Sequence, residues 1–274
     1  MPELPEVESI VRTLRPALTG KIIFSADLFW PRSLAVPSPA AFKEHIRGEQ
    51  IASINRRAKF LDLQLSTYHL LFHLRMSGDL LVVLGGYLPA GHDRLILHLS
   101  EDTSLIFSDP RKFGRIWLVE DPAEILRDLG PEPLSEMFTG PWLYKALHSR
   151  HRQLKPLLLD QTFLAGLGNI YTDEALHMAK LHPLSLSDLV SRKQAEHLCQ
   201  AIREVLEEGI RRNGASIDWV YRGGDFQNHF RVYGRDGQAC PVCGTKIERI
   251  TIGQRGTHYC PHCQVRAKSK NLVQ

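Results

Sequence analysis

No apolar run in this 274-residue chain approaches the roughly 18 to 20 residues that a membrane-spanning helix requires. The N-terminal stretch MPELPEVESI carries acids where a secretory signal carries bases, so the expected location is cytoplasmic. Neither an internal repeat nor a low-complexity tract is present, which removes solenoid and fibrous architectures from consideration. Cysteine is scarce: there are five, and four of them fall within the last 40 residues. Thiols stay reduced in the cytosol, so such a cluster points to metal ligation rather than to disulfides. The fifth, Cys199, sits on a predicted helix and reads as a small buried apolar residue.

Strong net charge is also missing, at +4, but its distribution is uneven. Residues 1–150 hold 17 Lys and Arg against 18 Asp and Glu, whereas residues 151–274 hold 17 against 12. The excess is steepest from Arg222 onward, where nine bases face three acids, and a polyanion is the natural partner for that end.

What is present suffices for two cores, or for one core and a small appended module, with 43% hydrophobic residues. Val7, Ile10, Val11, Leu14 and Leu18 recur at helical spacing behind Pro5, and Gly20 closes that stretch. From Lys21 to Val119 the pattern changes to about eight short β-type runs separated by turn formers, which predicts an antiparallel sandwich or barrel. The proline- and glycine-rich PAEILRDLGPEPLSEMFTGPW reads as a linker, with a domain boundary near 130–140. Helical periodicity then returns over Trp142–Ser149, Leu154–Leu159, Tyr171–Ala179 and Ser191–Arg212. The expected fold is α+β and multidomain. Residues 1–132 form a β-sandwich with an N-terminal helix, 133–222 a helical domain, and 223–274 a loop end and a zinc-binding β-hairpin.

Cys240-Pro-Val-Cys243, sixteen intervening residues and Cys260-Pro-His-Cys263 match a closed tetrahedral site for one structural Zn2+. Four thiolates leave no open position for a substrate water, so the expected role is folding. A redox dithiol needs no second matched pair. The intervening KIERITIGQRGTHY reads as a hairpin with Gly253–Gly256 at its tip, presenting Arg255 outward.

At the opposite end, Pro2 is a small residue of the kind that permits removal of Met1. A free α-amino group titrates near pKa 8, so roughly a tenth is neutral at pH 7, against well under a thousandth of a lysine. A neutral amine attacks an electrophilic carbon such as sugar C1′ and yields an iminium ion. Glu3, Glu6 and Glu8 surround this terminus, suited either to proton transfer or to ordinary helix capping.

MPELPEVE, RRAKFL at 56–61, HLRMSG at 73–78, DPRKFG at 109–114, LGNIYTDEAL at 167–176 and the terminal CPVCG…QRGTHYCPHC occur in order along the whole chain. Together they resemble the formamidopyrimidine-DNA glycosylase family. The resemblance implies a bifunctional glycosylase and abasic-site lyase acting on duplex DNA, with Pro2 as nucleophile, Glu3 as general acid/base and Glu6 in support. It assigns Lys59 to phosphate contact and β-elimination, and Arg255 to phosphate contact and δ-elimination. Met76, Arg111 and Phe113 fill the space left by an extruded nucleotide, and Asn169, His92 and Arg150 contact DNA. Residues 133–222 become a helix-two-turn-helix domain, and a loop within 219–237 closes over the extruded base, with Phe226 against it. Glu174 reads as a helix-end hydrogen-bond acceptor. The resemblance also implies a monomer that associates with the nucleoid while acting.

Two other readings compete. An endonuclease VIII-type enzyme of the same fold prefers oxidised pyrimidines, but it usually begins PEGPE and lacks the Met, Arg, Phe set. A noncatalytic zinc-finger DNA-binding protein has no use for a free N-terminal proline.

Overall fold

The structure is a computed structural model, and it describes residues 1–216 and 223–266. The chain divides into two units: Met1–Asp128 with Asn213–Gly224, and Leu129–Arg212 with Asp225–Gln274. Among the described residues no helix is long and apolar enough to cross a membrane.

In the first unit, helix α1 (Leu4–Leu18) begins with Pro5 in its first turn and a capping box between Glu3 and Glu6. Its buried stripe of Val7, Ile10, Val11, Leu14 and Leu18 follows the helical period read from the sequence. The outer face is tied down by charge: the Arg15 guanidinium donates to the Ile54 carbonyl at 2.9 and 3.1 Å, and Arg56 pairs with Glu8 at 2.9 Å.

Nine strands follow: β1 (Ile23–Leu28), β2 (Leu34–Val36), β3 (Ile51–Arg57), β4 (Phe60–Leu65), β5 (His69–His73), β6 (Asp79–Leu84), β7 (Asp93–Leu99), β8 (Thr103–Ser108) and β9 (Arg115–Val119). They form a four-stranded sheet in the order β1-β7-β8-β6 and a five-stranded sheet in the order β2-β9-β5-β4-β3. One apolar cluster draws on both sheets and α1, including Leu14, Leu63, Phe72, Leu97, Phe107 and Ile116. Phe72 and Phe107 meet at 5.6 Å with tilted rings. The sandwich expectation therefore holds, with two additions. Strand β2 is three residues long and pairs parallel with β9 through Leu34 and Val36. Helix α2 (Pro39–Ile46), capped by Ser38, buries only Phe42 and Ile46. Neither element is long enough to show a period. A short helix α3 (Ala123–Leu126) lies in the predicted linker.

The second unit holds α4 (Gly140–His148), α5 (Leu154–Leu158), α6 (Asn169–Met178) and α7 (Arg192–Arg211), close to the four predicted helices. Ser191 and Gln194 form a capping box at the start of α7. Helices α6 and α7 approach closely because Gly209 has no side chain: a Cβ there would stand 2.5 Å from the Tyr171 ring. Strands β10 (Glu248–Ile252) and β11 (Arg255–Tyr259) form the antiparallel hairpin between the cysteine pairs.

Candidate active site and zinc centre

Pro2, Glu3 and Glu6 are all buried, the two carboxylates at 2% exposure. Glu6 Oε2 accepts the Glu3 N–H at 2.7 Å, and Glu6 Oε1 accepts the Ala215 N–H at 2.8 Å. One carboxylate thus fixes both the N-terminal turn and the backbone that follows α7. Gly214 makes that approach possible, with φ of +79° and an absent Cβ that would fall 2.7 Å from Glu6 Oε1. The Gly224 N–H donates to Ser216 Oγ at 2.8 Å, so the two described ends of the 217–222 segment are held together. Residues 217–222 themselves, within the expected capping loop, lie outside the described residues, as do Lys268 and Lys270 of the basic tail. Met1 is present, so the Pro2 nitrogen is part of a peptide bond here.

Lys59 occupies the two-residue turn between β3 and β4 next to Ala58, whose φ is +54°. At 5% exposure it is not a solvated surface base. Burial, then the charges of Arg75 and Lys59, holds His73 neutral, with its pKa lowered to about 3.

The three residues expected to fill the stack are presented on two loops of the first unit. Met76 is 38% exposed and Phe113 51%, and the Arg111 guanidinium lies 4.8 Å from the Phe113 ring centroid. What joins the loops is a residue the sequence reading passed over. Asp109 is fully buried. Its Oδ1 accepts from the Ser77 hydroxyl and from the Arg111 N–H, and its Oδ2 accepts the Gly114 N–H at 2.7 Å. In sequence, Asp109 before Pro110 looks like any turn acid, and only the convergence of HLRMSG and DPRKFG reveals it. His92 is exposed beside the same loop, its carbonyl accepting the Asp109 N–H at 2.8 Å.

In the second unit the sequence reading placed Arg255 within a four-residue tip. The structure narrows that tip to Gly253 and Gln254, with φ of +53° and +62°, the left-handed pair of a tight two-residue hairpin turn. Arg255 opens β11 opposite Ile252 and is exposed. The next residue anchors it: the Gly256 carbonyl accepts from Lys155 Nζ and from Asn169 Nδ2, each at 3.0 Å. Lys155 is fully buried and paired with Asp173 at 2.6 Å, and Asp173 also accepts the His258 N–H at 2.9 Å. Asn169 Oδ1 is buried and unpartnered. Arg150 is exposed, with its guanidinium 5.2 Å from the Phe163 ring.

Glu174 has the acceptor role read from the sequence, taking the N–H groups of Arg231, Val232 and Tyr233 at 2.8 to 2.9 Å. Burial nevertheless raises its pKa, against the lowering effect of those three bonds. Phe226 departs from expectation. It is 4% exposed and stacked on Tyr171 at 5.2 Å, because its aromatic face completes the core above α6 instead of facing a base. Cys199 is buried, with its thiol 3.5 Å from the Phe138 carbonyl.

The sulfurs of Cys240, Cys243, Cys260 and Cys263 lie within 4.8 Å of one another, with Cys240–Cys263 at 3.9 Å and Cys243–Cys260 at 3.5 Å. Zn–S bonds of about 2.3 Å in tetrahedral array place sulfurs about 3.8 Å apart, so the set fits zinc and is too wide for a disulfide. The Thr245 hydroxyl and N–H lower the Cys243 thiol to about 6, while burial pushes Cys260 and Cys263 up. Four thiolates resist sharing one small volume unless a divalent cation neutralises them. Cys240 Sγ accepts the Val242 N–H at 3.5 Å, and His177 Nε2 of α6 stands 3.4 Å from the same sulfur.

A two-sheet unit with a buried acidic N-terminus, accompanied by a helical unit carrying a four-cysteine hairpin, defines a class of zinc-finger proteins with two sets of candidate nucleic-acid contacts. Residues 1–116 match the formamidopyrimidine-DNA glycosylase N-terminal domain, 129–220 the H2TH domain of the same enzymes, and 237–265 the zinc finger found in FPG and IleRS. The formamidopyrimidine-DNA glycosylase of Pelotomaculum thermopropionicum is 44% identical over 273 residues, covering 96% of this chain and 99% of the relative. That of Chloroflexus aurantiacus is 45% identical, covering 97% and 98%. Among solved structures, MutM in complex with DNA containing carbocyclic 8-oxo-G matches with a TM-score of 0.91 and 36% identity, covering 97% of this chain and all of that one. Lactococcus lactis Fpg in complex with DNA containing an abasic site matches with 0.91 and 35%, covering 96% and all of that chain. The chain belongs to the formamidopyrimidine-DNA glycosylase family.

Proposed function

We propose that this chain excises oxidised purines, such as 8-oxoguanine and formamidopyrimidines, from duplex DNA and then cleaves the strand at the abasic site. After Met1 is removed, the Pro2 amine attacks C1′ and the glycosidic bond breaks, its electron pair leaving with the base. Glu3 supplies the proton that opens the sugar ring at O4′, and an iminium joins Pro2 to the strand. Loss of a C2′ proton then expels the 3′ phosphate, with Lys59 as proton donor, and a second elimination assisted by Arg255 expels the 5′ phosphate. Glu6 supports the first steps by positioning the N-terminus. His92, Arg150 and Asn169 contact the backbone, and one Zn2+ on the four cysteines folds the hairpin that carries Arg255. The reaction takes place on chromosomal DNA in the cytoplasm.

The observation that carries the purine reading is the exposure of Met76, Arg111 and Phe113 on loops stapled by Asp109. Two apolar wedges and a planar donor suit filling the gap left by an extruded nucleotide and bonding the cytosine left opposite it. Single-turnover cutting of matched duplexes tests this. Faster cutting of 8-oxoguanine opposite cytosine than of an oxidised thymine is expected, and the reverse order would replace this reading with the pyrimidine-specific one.

A further inference from the structure

The zinc ribbon is gripped from outside by α6, and one of those contacts reaches the metal's own ligand. His177 is 2% exposed, and its Nε2 lies 3.4 Å from Cys240 Sγ. Its other ring nitrogen, Nδ1, is buried without a partner. The Val242 N–H that also bonds this sulfur comes from the ribbon itself, whereas His177 comes from a helix 63 residues earlier in the chain.

These facts fix the ring's hydrogen. A zinc-bound thiolate has only lone pairs to offer, so the contact is a hydrogen bond only if Nε2 carries the proton. Nδ1 is then a bare lone pair, which burial penalises less than an orphaned N–H. With Cys240 as a thiol, the S–H could donate to Nε2 instead, but the ring proton would move to Nδ1 and be stranded. The pocket therefore favours the thiolate, metal-loaded form of the ribbon.

We propose that His177 is a positioning residue for the zinc centre: its Nε2–H donates to the Cys240 thiolate, withdraws charge from that sulfur, and locks the ribbon onto α6 in the metal-loaded state. This rests on zinc occupancy, which metal analysis of the wild-type chain checks separately at one zinc per chain. Donors outside the ligand set orient ligands and typically change metal affinity by about 10- to 100-fold when removed.

The test compares the full-length wild type with His177→Phe, which keeps a ring but no donor, and His177→Gln, which keeps an N–H. Zinc transfer to a chromophoric chelator and the sulfur-to-metal absorption of the cobalt-substituted chain are read for each. H177F is expected to release zinc about 10-fold faster or more, with the absorption moved to lower energy as the sulfur becomes more electron-rich. H177Q is expected to recover most of both effects. H177F that fails to load metal while H177Q loads normally also supports the assignment. Unchanged release and absorption in a folded H177F, or H177Q behaving as H177F does, would overturn it.

Discussion

The Ala215 N–H donates to Glu6 Oε1 at 2.8 Å across 209 residues of sequence, and the second oxygen of the same carboxylate takes the Glu3 N–H. Both oxygens must accept, a condition that an amide cannot meet. Glu6→Gln turns an NH2 toward one of the two N–H groups, at a cost of about 1–3 kcal/mol. Because the displaced atoms adjoin Pro2 and Glu3, formation of the covalent adduct should slow by about 100-fold, as expected for a misplacement near 1 Å. Gly214→Ala should damage the same junction from the other side. Its left-handed backbone alone costs about 1–2 kcal/mol, equivalent to a Tm loss of about 2–8 °C. Native Tm and native adduct rate in G214A would remove the coupling.

Asp109 is the second junction. In Asp109→Asn, one of the Ser77, Arg111 and Gly114 donors meets an NH2 group, and the loops bearing Met76, Arg111 and Phe113 lose their common anchor. Binding to a duplex with a stable abasic analogue should weaken by about 10-fold, the equivalent of one such bond, with zinc content unchanged. Titration by fluorescence anisotropy measures it, and wild-type affinity would show that the staple is dispensable.

His73 makes stability depend on pH in a defined direction. Its pKa is about 3 in the folded chain against an ordinary 6.5, so as pH falls the unfolded chain takes up the proton first. The contribution is fully present above pH 6.5 and drains away toward pH 3, by at most about 1.4 kcal/mol per pH unit. His73→Phe should lose the Arg75 N–H bond at neutral pH yet fall less steeply through that window. Urea unfolding at pH 7, 5.5 and 4.5 measures the difference. Parallel slopes for the two proteins would contradict the assignment.

Periodicity carried much of the fold. The stripe from Val7 to Leu18 and the alternating runs of the sandwich state their own structure, since each buries one face. Strand β2 and helix α2 do not, because three paired residues and two buried ones leave no repeat to read. The site was legible where chemistry demands a particular residue type, as at Pro2, Arg255 and the cysteines. It was illegible where a common residue acts by convergence. Asp109, Lys155 and His177 matter because distant segments meet on them, and no spacing within one segment announces that. Phe226 misled for the opposite reason: an aromatic in a glycine-rich stretch looked available, and the Tyr171 ring had already claimed it.

The most direct test of the central claim is borohydride trapping on a duplex carrying one 8-oxoguanine opposite cytosine, with the intact mass of the same sample in hand. The processed chain, lacking Met1, should give a single covalent adduct mapping to Pro2. A chain with an uncleavable residue ahead of Pro2 should give none. An adduct of equal yield from the extended chain, or full activity from a sample whose mass retains Met1, would contradict the N-terminal proline mechanism.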